Sequence, residues 1–447
     1  MLSPITAGNI DNDVHAVLAR FRTPGATVEV VDNGRVVYRK AYGRADVASG
    51  VPARLDTRYE IGSITKQFTA AAIMQLQQAG KLDIDARAVT YLPNAPHAQE
   101  VTLRQMLTHT SGLHDDLNDL PDDSPTLRKR ASFDQWIEHI AGKPLDFAPG
   151  SNESYSNMGY IYLGRIIEVV SGQSYADYIR NHFLLPLGMK HTYIDVNESR
   201  VPEMAQGYAL SGGSAKPVQS WTVPALQSAG GLVSTVDDLE TWSKALANGQ
   251  VVSRASYAAM TTPISTTSGP TNNGLGLFID TIEGQKRIGH TGGSAGFTTA
   301  NFYFPKQGVR IIAFTNGKAN PEPGEAITTV IFNRLFPAIA ADAMRPAKGE
   351  DRSITERAEA VFAGMQTGNI ARGLLVDRLA AKMHSQAGRW AAAFAGYGVP
   401  TSAVFKGTRP NGNATWNDYV LVFGPGVTLN FSVSVRRDGK ITSLAFD

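Results

Sequence analysis

The chain has 447 residues, 43% hydrophobic and 18% charged, which is enough for a large core and too many for one ordinary domain. Its 42 basic and 40 acidic side chains leave a net charge of +2, so nothing electrostatic points to nucleic acid or an anionic membrane as partner. The absence of cysteine removes disulfides, thiolate catalysis and cysteine-held metal, and no apolar run is long enough to span a bilayer.

In chain order, residues 14–21 place Val14, Val17, Leu18 and Phe21 on one helical face. Thr27–Val31 and Val36–Tyr42 read as a strand pair joined by Asp32-Asn33-Gly34-Arg35, which carries an Asn-Gly turn signal. Ile61, Ile64, Phe68, Ala72, Leu76 and Ala79 then recur at helical spacing, with Gly80 as the stop. Residues 81–260 read as mainly helical, with short helices at 101–107, 133–140, 158–170 and 175–183. Thr235, with Asp238 three residues on, is a capped helix start before Leu239 and Trp242. Strands return at 276–282, 286–290, 298–304 and 309–315, and a helix follows at 325–336. An early strand pair, a helical middle and a late strand set predict one sheet built from both ends, with the helical insertion packed beside it. Residues 341–352 are polar and read as a linker. Residues 353–447 read as a small α+β accessory domain: helical over 354–384, then strands near 402–407, 416–423, 427–435 and 440–446. Val427, Leu429, Phe431, Val433 and Val435 alternate with polar residues, the pattern of a half-buried antiparallel strand.

The chemistry centres on Ser63-Ile64-Thr65-Lys66, an S-x-x-K sequence at the start of the helical run from Ile61 to Ala79. Residues three apart on a helix share a face, so the lysine amine stands beside the serine hydroxyl. A free serine hydroxyl is a weak nucleophile that needs such a neighbour. The positive end of the helix dipole also favours negative charge there. Two further stretches stand out: Tyr155-Ser156-Asn157 and His290-Thr291-Gly292-Gly293.

S-x-x-K, then Y-x-N, then a basic residue with Thr-Gly: in this order the chain resembles the serine β-lactamase-like hydrolases. That family includes class C β-lactamases, D-alanyl-D-alanine carboxypeptidases, D-aminopeptidases and family VIII carboxylesterases. Leu107–Leu113 and Gly230–Leu239 also look like common segments of the family, and the resemblance covers roughly residues 10–340. It implies an α+β fold over residues 1–340: an antiparallel sheet flanked by helices, a helical lobe at roughly 81–260, and a site between them. It implies that Ser63 is the nucleophile and that Lys66 and Tyr155 share its activation. Tyr155 would then protonate the leaving group, and Asn157 would orient Lys66 and the substrate amide. The oxyanion hole would be the backbone N–H groups of Ser63 and Gly293. Substrate would lie as an added strand along the His290, Thr291, Gly292, Gly293 edge. No cofactor and no metal are implied.

His290 departs from the class C pattern, where a lysine helps to hold a substrate carboxylate. A histidine titrates near pH ~6.5 and is no permanent cation. The expectation is that it tunes Tyr155 and substrate choice. This favours a small-molecule ester or a D-amino-acid peptide over a β-lactam, and so a carboxylesterase or D-amino-acid peptidase over a true β-lactamase. The rival reading is a penicillin-binding sensor or cell-wall interaction module on the same scaffold, with little or no turnover. Met1–Ile5 shows no basic segment followed by an apolar core, while members of the family usually act in the periplasm or outside the cell. The expectation is therefore a periplasmic or secreted protein.

Two motifs invite other readings. Gly292-Gly293-Ser294-Ala295-Gly296 fits the G-x-S-x-G elbow, which requires a helix after the serine, whereas Phe297–Phe304 reads as a strand. His109, His114, Asp115 and Asp116 suggest a metal, but no H-E-x-x-H or similar spacing is present. Substrate choice is expected to lie in loops around Leu113–Leu127 and Pro202–Trp221. The accessory domain is expected to cap the cleft, hold a dimer or bind cell wall.

Overall fold

The structure is a computed structural model that describes residues 1–115, 117, 120, 124–125, 132–194, 201–211, 214–219 and 226–446. Asp116 and parts of both expected substrate loops lie outside the described residues. The chain divides into two compact units: Met1–Ala7, Leu18–Lys318 and Pro323–Thr328 form one, and Gly8–Val17, Ala319–Glu322 and Thr329–Asp447 the other.

The first unit is built on a seven-stranded antiparallel sheet. Its spatial order is Phe278–Ile282, Gln285–Ser294, Phe297–Phe304, Val309–Thr315, Gly25–Asp32, Arg35–Asp46, Val51–Pro52. Gly25–Asp32 is buried at every residue before Asp32 and pairs with Val309–Thr315 on one side and Arg35–Asp46 on the other. The sheet is therefore closed by strands from both ends of this unit, as the pattern of early and late strands implies. Gln285–Ser294 pairs with Phe278–Ile282 only as far as Gly289. Residues 290–294 keep a strand partner on one side alone, the Phe297–Phe304 side.

The helical part packs around Thr65–Gln78, whose residues from Thr65 to Met74 are all buried. A helix buried all round needs no polar face, and that explains its run of alanines. Phe68 stacks on Trp242 with ring centroids 3.7 Å apart. The middle of the chain is less helical than its sequence suggests. Tyr208–Ser211 and Ser214–Pro217 form a hairpin whose first strand lies beside Gly317–Lys318. Strands of four residues are too short to show a period of two against their surroundings. The first helix, Pro4–Phe21, starts ten residues earlier than its apolar face, with Ser3 Oγ accepting from the Thr6 N–H at 3.1 Å and Pro4 in the first turn.

In the second unit a four-stranded antiparallel sheet runs Ser402–Asn411, Ala414–Gly424, Val427–Arg436, Ile441–Phe446. Helix Arg352–Thr367 packs on it through Phe362, whose ring lies 5.5 Å from Phe423 and 5.7 Å from Phe431. The alternation in Val427–Arg436 breaks at Ser434, which is fully buried and bonded to Asn411 Nδ2 at 2.8 Å. Among the described residues no single helix is long and apolar enough to cross a membrane.

Candidate active site

Ser63 stands in a 3-10 turn, Gly62–Ile64, that feeds the helix Thr65–Gln78. The turn depends on Gly62. Its φ is +49°, and a Cβ there would lie 2.6 Å from the Gly293 carbonyl oxygen and 2.8 Å from its nitrogen. Only a residue without a side chain lets the chain before Ser63 press this closely on the Gly293 backbone. Gly292 is excluded from bearing a side chain in the same way, since a Cβ would lie 2.0 Å from the Ile61 carbonyl oxygen. Thr299 Oγ1 fastens this junction, donating to Ile61 O at 3.1 Å or to Gly292 O at 3.2 Å. The free edge of Gln285–Ser294 is thus held against the turn that carries Ser63.

Lys66 is fully buried. Its Nζ lies 3.0 Å from Ser63 Oγ, 2.8 Å from Asn157 Oδ1 and 2.8 Å from the Ala229 carbonyl oxygen. An ammonium has three donors, and all three are used here on neutral oxygens. Burial therefore lowers the Lys66 amine to about 7, with the charge of Asp115 opposing the fall. An amine that is half unprotonated near neutrality, 3.0 Å from an accessible hydroxyl, can take that hydroxyl's proton.

Tyr155 lies half-buried just before the helix Asn157–Ser171. Its ring covers Lys66 Nζ at 4.7 Å from the centroid and stacks on His109 at 4.4 Å. Such a face favours the ammonium by about 0.5–2 kcal/mol. Asn157 is the first residue of that helix, after the Ser156 cap whose Oγ accepts from the Gly159 N–H at 3.2 Å. Helix entry is what aims the Asn157 amide at Lys66.

His290 is 1% exposed and packed flat on Phe278, with ring centroids 4.1 Å apart. Nδ1 meets the Thr291 carbonyl, so it bears the proton and Nε2 presents a lone pair with no partner among the described residues. Burial, with Lys66 next in weight, pushes the imidazole down to about 3. His290 is therefore neutral, and the expectation that no permanent cation stands at this position has a physical cause. Thr291 and Gly293 remain partly accessible along the edge.

The side chains named in the other readings have other work. Ser294 is buried, donates to Glu60, and leads through Ala295-Gly296 into the strand Phe297–Phe304, not into a helix. His109 accepts the Ser156 N–H on Nδ1 at 3.1 Å and is held neutral by burial and by Lys66. His114 lies against Asp146 at 2.8 Å. Asp115 accepts backbone N–H groups at the start of the Asn157 helix. Among the described residues no group of three histidines and carboxylates is placed to hold a metal ion. Two contributors escaped the sequence reading, Gly62 and the Ala229 carbonyl, and Asp115 figures in it only as part of a metal cluster and not as a cap of the Asn157 helix. Gly62 had a signal, a glycine directly before the S-x-x-K serine. A backbone carbonyl has none.

An α+β scaffold carrying a serine beside a buried lysine at the free end of a sheet strand defines the class, and comparison with known proteins agrees. A family profile described as Beta-lactamase matches residues 10–335, and the chain belongs to that family of β-lactamase-fold serine hydrolases. It is 31% identical over 358 residues to Protein flp of Staphylococcus aureus (strain MRSA252), which covers 77% of this chain and 70% of that one. Among solved structures it is similar to the octameric penicillin-binding protein homologue from Pyrococcus abyssi, at 24% identity and TM-score 0.66, over 98% of this chain and 95% of that one. It is also similar to the D-amino acid amidase from Ochrobactrum anthropi SV3 complexed with L-phenylalanine, at 25% identity and TM-score 0.64, over 74% and 99% of the two chains.

Proposed function

We propose that the protein is a serine hydrolase that forms an acyl-enzyme at Ser63 and acts on neutral esters or on amides and peptides of D-amino acids. One observation carries this reading: a fully buried lysine, lowered to about 7, whose amine touches the hydroxyl of an accessible serine. A scaffold that binds without acylation has no need of such a base.

In this mechanism Ser63 Oγ attacks the substrate carbonyl as its proton passes to Lys66 Nζ. The oxyanion is met by the N–H groups of Ser63 and Gly293, which Gly62 brings together. Two such donors contribute about 3–4 kcal/mol each when aimed at the developing charge. Tyr155 gives its hydroxyl proton to the leaving alcohol or amine and is reprotonated by way of Lys66. Water then repeats the cycle on the acyl-enzyme and returns the acid and the free serine. The neutral, buried His290 supports uncharged substrates here, because position 290 offers a substrate carboxylate no cation. The similarity to a D-amino acid amidase supports the D-amino-acid class.

The test follows release of p-nitrophenol from p-nitrophenyl acetate and of ammonia from D-phenylalanine amide, with intact mass recorded after benzylpenicillin, in wild type and Ser63→Ala. Turnover of either substrate that is lost in Ser63→Ala is expected. A lasting penicillin adduct with no turnover of ester or amide would overturn the hydrolase reading in favour of a penicillin sensor.

A further inference from the structure

The capping of the helix Asn157–Ser171 is divided between two side chains. Ser156 Oγ takes the Gly159 N–H at 3.2 Å. Asp115, from the segment after Leu113, takes the N–H of Asn157 and, at 3.4 Å, that of Met158. Its other oxygen accepts the Leu117 N–H at 3.0 Å. The first N–H groups of a helix need acceptors, and an anion suits the positive end of its dipole. If capping were the whole role, Asn or Ser would serve as well, since both are strong capping residues. What a carboxylate adds is charge: burial raises the Asp115 pKa, its backbone N–H donors and Lys66 pull it back down, and the charge in turn acts on Lys66.

Asn157 links the two. Its N–H goes to Asp115 and its Oδ1 receives Lys66 Nζ at 2.8 Å. The groups facing Lys66 come from every element around it. Ser63 comes from its own turn and Tyr155 from the loop ahead of the helix. Asn157 and Tyr160 come from the helix, His109 and Asp115 from the segment after Leu107, His290 from the sheet, and the Ala229 carbonyl from the short helix Gln227–Gly230. Both histidines are neutral. Among the described residues Asp115 is the one negative charge that Lys66 feels.

We propose that Asp115 is a positioning residue of the candidate site. It fixes Asn157 against Lys66, and its charge helps to hold the proton on the Lys66 amine. The second half rests on the reading of Lys66 as the base for Ser63, so the experiment separates the two.

Lys66 is titrated directly by NMR of the full chain labelled with carbon-13 at lysine Cε, with Lys66→Arg used to assign the signal. Wild type is compared with Asp115→Asn and with a second neutral capping variant, Asp115→Ser, in case the first does not fold. Both neutral variants are expected to move the Lys66 midpoint to lower pH by about 1 unit, the low end of what a nearby opposite charge exerts. Asp115→Glu is expected to restore much of the shift. An unmoved midpoint in a folded neutral variant overturns the proposal, whatever happens to activity. The same proteins are assayed on p-nitrophenyl acetate across pH. If Asp115 acts as stated, the acid limb of kcat/KM follows the NMR midpoint downward. A loss of rate with an unmoved limb marks Asp115 as a structural cap and overturns the proposal. If wild type shows no turnover that depends on Ser63, the hydrolase reading fails, and the NMR titration still decides the role of Asp115.

Discussion

Replacing Gly62 by alanine tests the oxyanion geometry without touching any side chain of the site. The added Cβ would lie 2.6 Å from the Gly293 carbonyl oxygen, where real Cβ contacts stay above 3.0 Å. The two backbones must therefore part by at least 0.4 Å, that is, 3.0 less 2.6, and by 0.8 Å, 3.4 less 2.6, to reach an ordinary contact. Neither neighbour is a flexible side chain, so the shift falls on the peptide units of residues 62–63 and 293. Catalytic constellations tolerate about 0.5 Å, and a misplacement near 1 Å costs about 100-fold in rate. Losing one oxyanion donor outright costs about 10²–10³-fold. The expectation is a fall in kcat/KM for p-nitrophenyl acetate of about 100-fold, with KM little changed because the lost interaction belongs to the transition state. Stability bears the positive φ as well, at about 1–3 kcal/mol. Urea unfolding measures this separately and shows whether the variant is folded in the assay. A folded Gly62→Ala protein with kcat/KM within a few-fold of wild type would refute the assignment of Ser63 and Gly293 N–H as the oxyanion pair.

Lys66 at about 7 predicts an acid limb in kcat/KM near that pH, rising as the amine loses its proton; a flat profile through neutrality would remove Lys66 as the base. Ser294→Ala is expected to leave ester turnover within a few-fold of wild type, because its hydroxyl serves Glu60 and not the site; abolished turnover in a folded variant would reopen the elbow reading. Glu29 is a carboxyl in the inner strand Gly25–Asp32, pushed up to about 8 by burial and by the neighbouring Asp237, against the pull of Arg39. The folded state therefore holds its proton above the ordinary 4.5, so this contribution to stability is complete below about pH 4.5 and is lost as pH rises through about 8. Glu29→Gln is expected to flatten that loss in urea unfolding followed across the same range.

The relation between Ser63 and Lys66 is local, and helical spacing alone delivers it. The late strands are legible for a similar reason: their apolar runs are bounded by turns, as at Lys306-Gln307-Gly308. Tyr155 and Asn157 reach Lys66 across some ninety positions of chain, which no periodicity encodes, and only the resemblance brought them together. The charge of His290 was beyond the sequence too. It follows from burial against Phe278 and closeness to Lys66, and both are products of packing. Asp115 drew notice only as one of four clustered polar residues, because a helix capped from another segment leaves no spacing to read. Glu29 passes in sequence for an outward-facing strand residue, yet its side chain is 1% exposed.

Three buried bases, Lys66, His109 and His290, surround the ring of Tyr155, and their mutual repulsion limits how much positive charge the pocket holds. The charge resides on Lys66, which has three acceptors, two flanking rings and Asp115 to favour it. Desolvation weakens this lysine's hold on a proton in the resting site. The same low dielectric strengthens its attraction to an oxyanion formed a few ångströms away. In the proposed reaction the proton would therefore become more welcome on Lys66 as Ser63 attacks, and the amine would be a base whose strength grows along the reaction. A lysine at 290 would place a second ammonium in this space and depress Lys66 further, leaving less of that gain for the attack. A neutral histidine gives up the grip on a substrate carboxylate and leaves the field of the pocket to the one charge that moves.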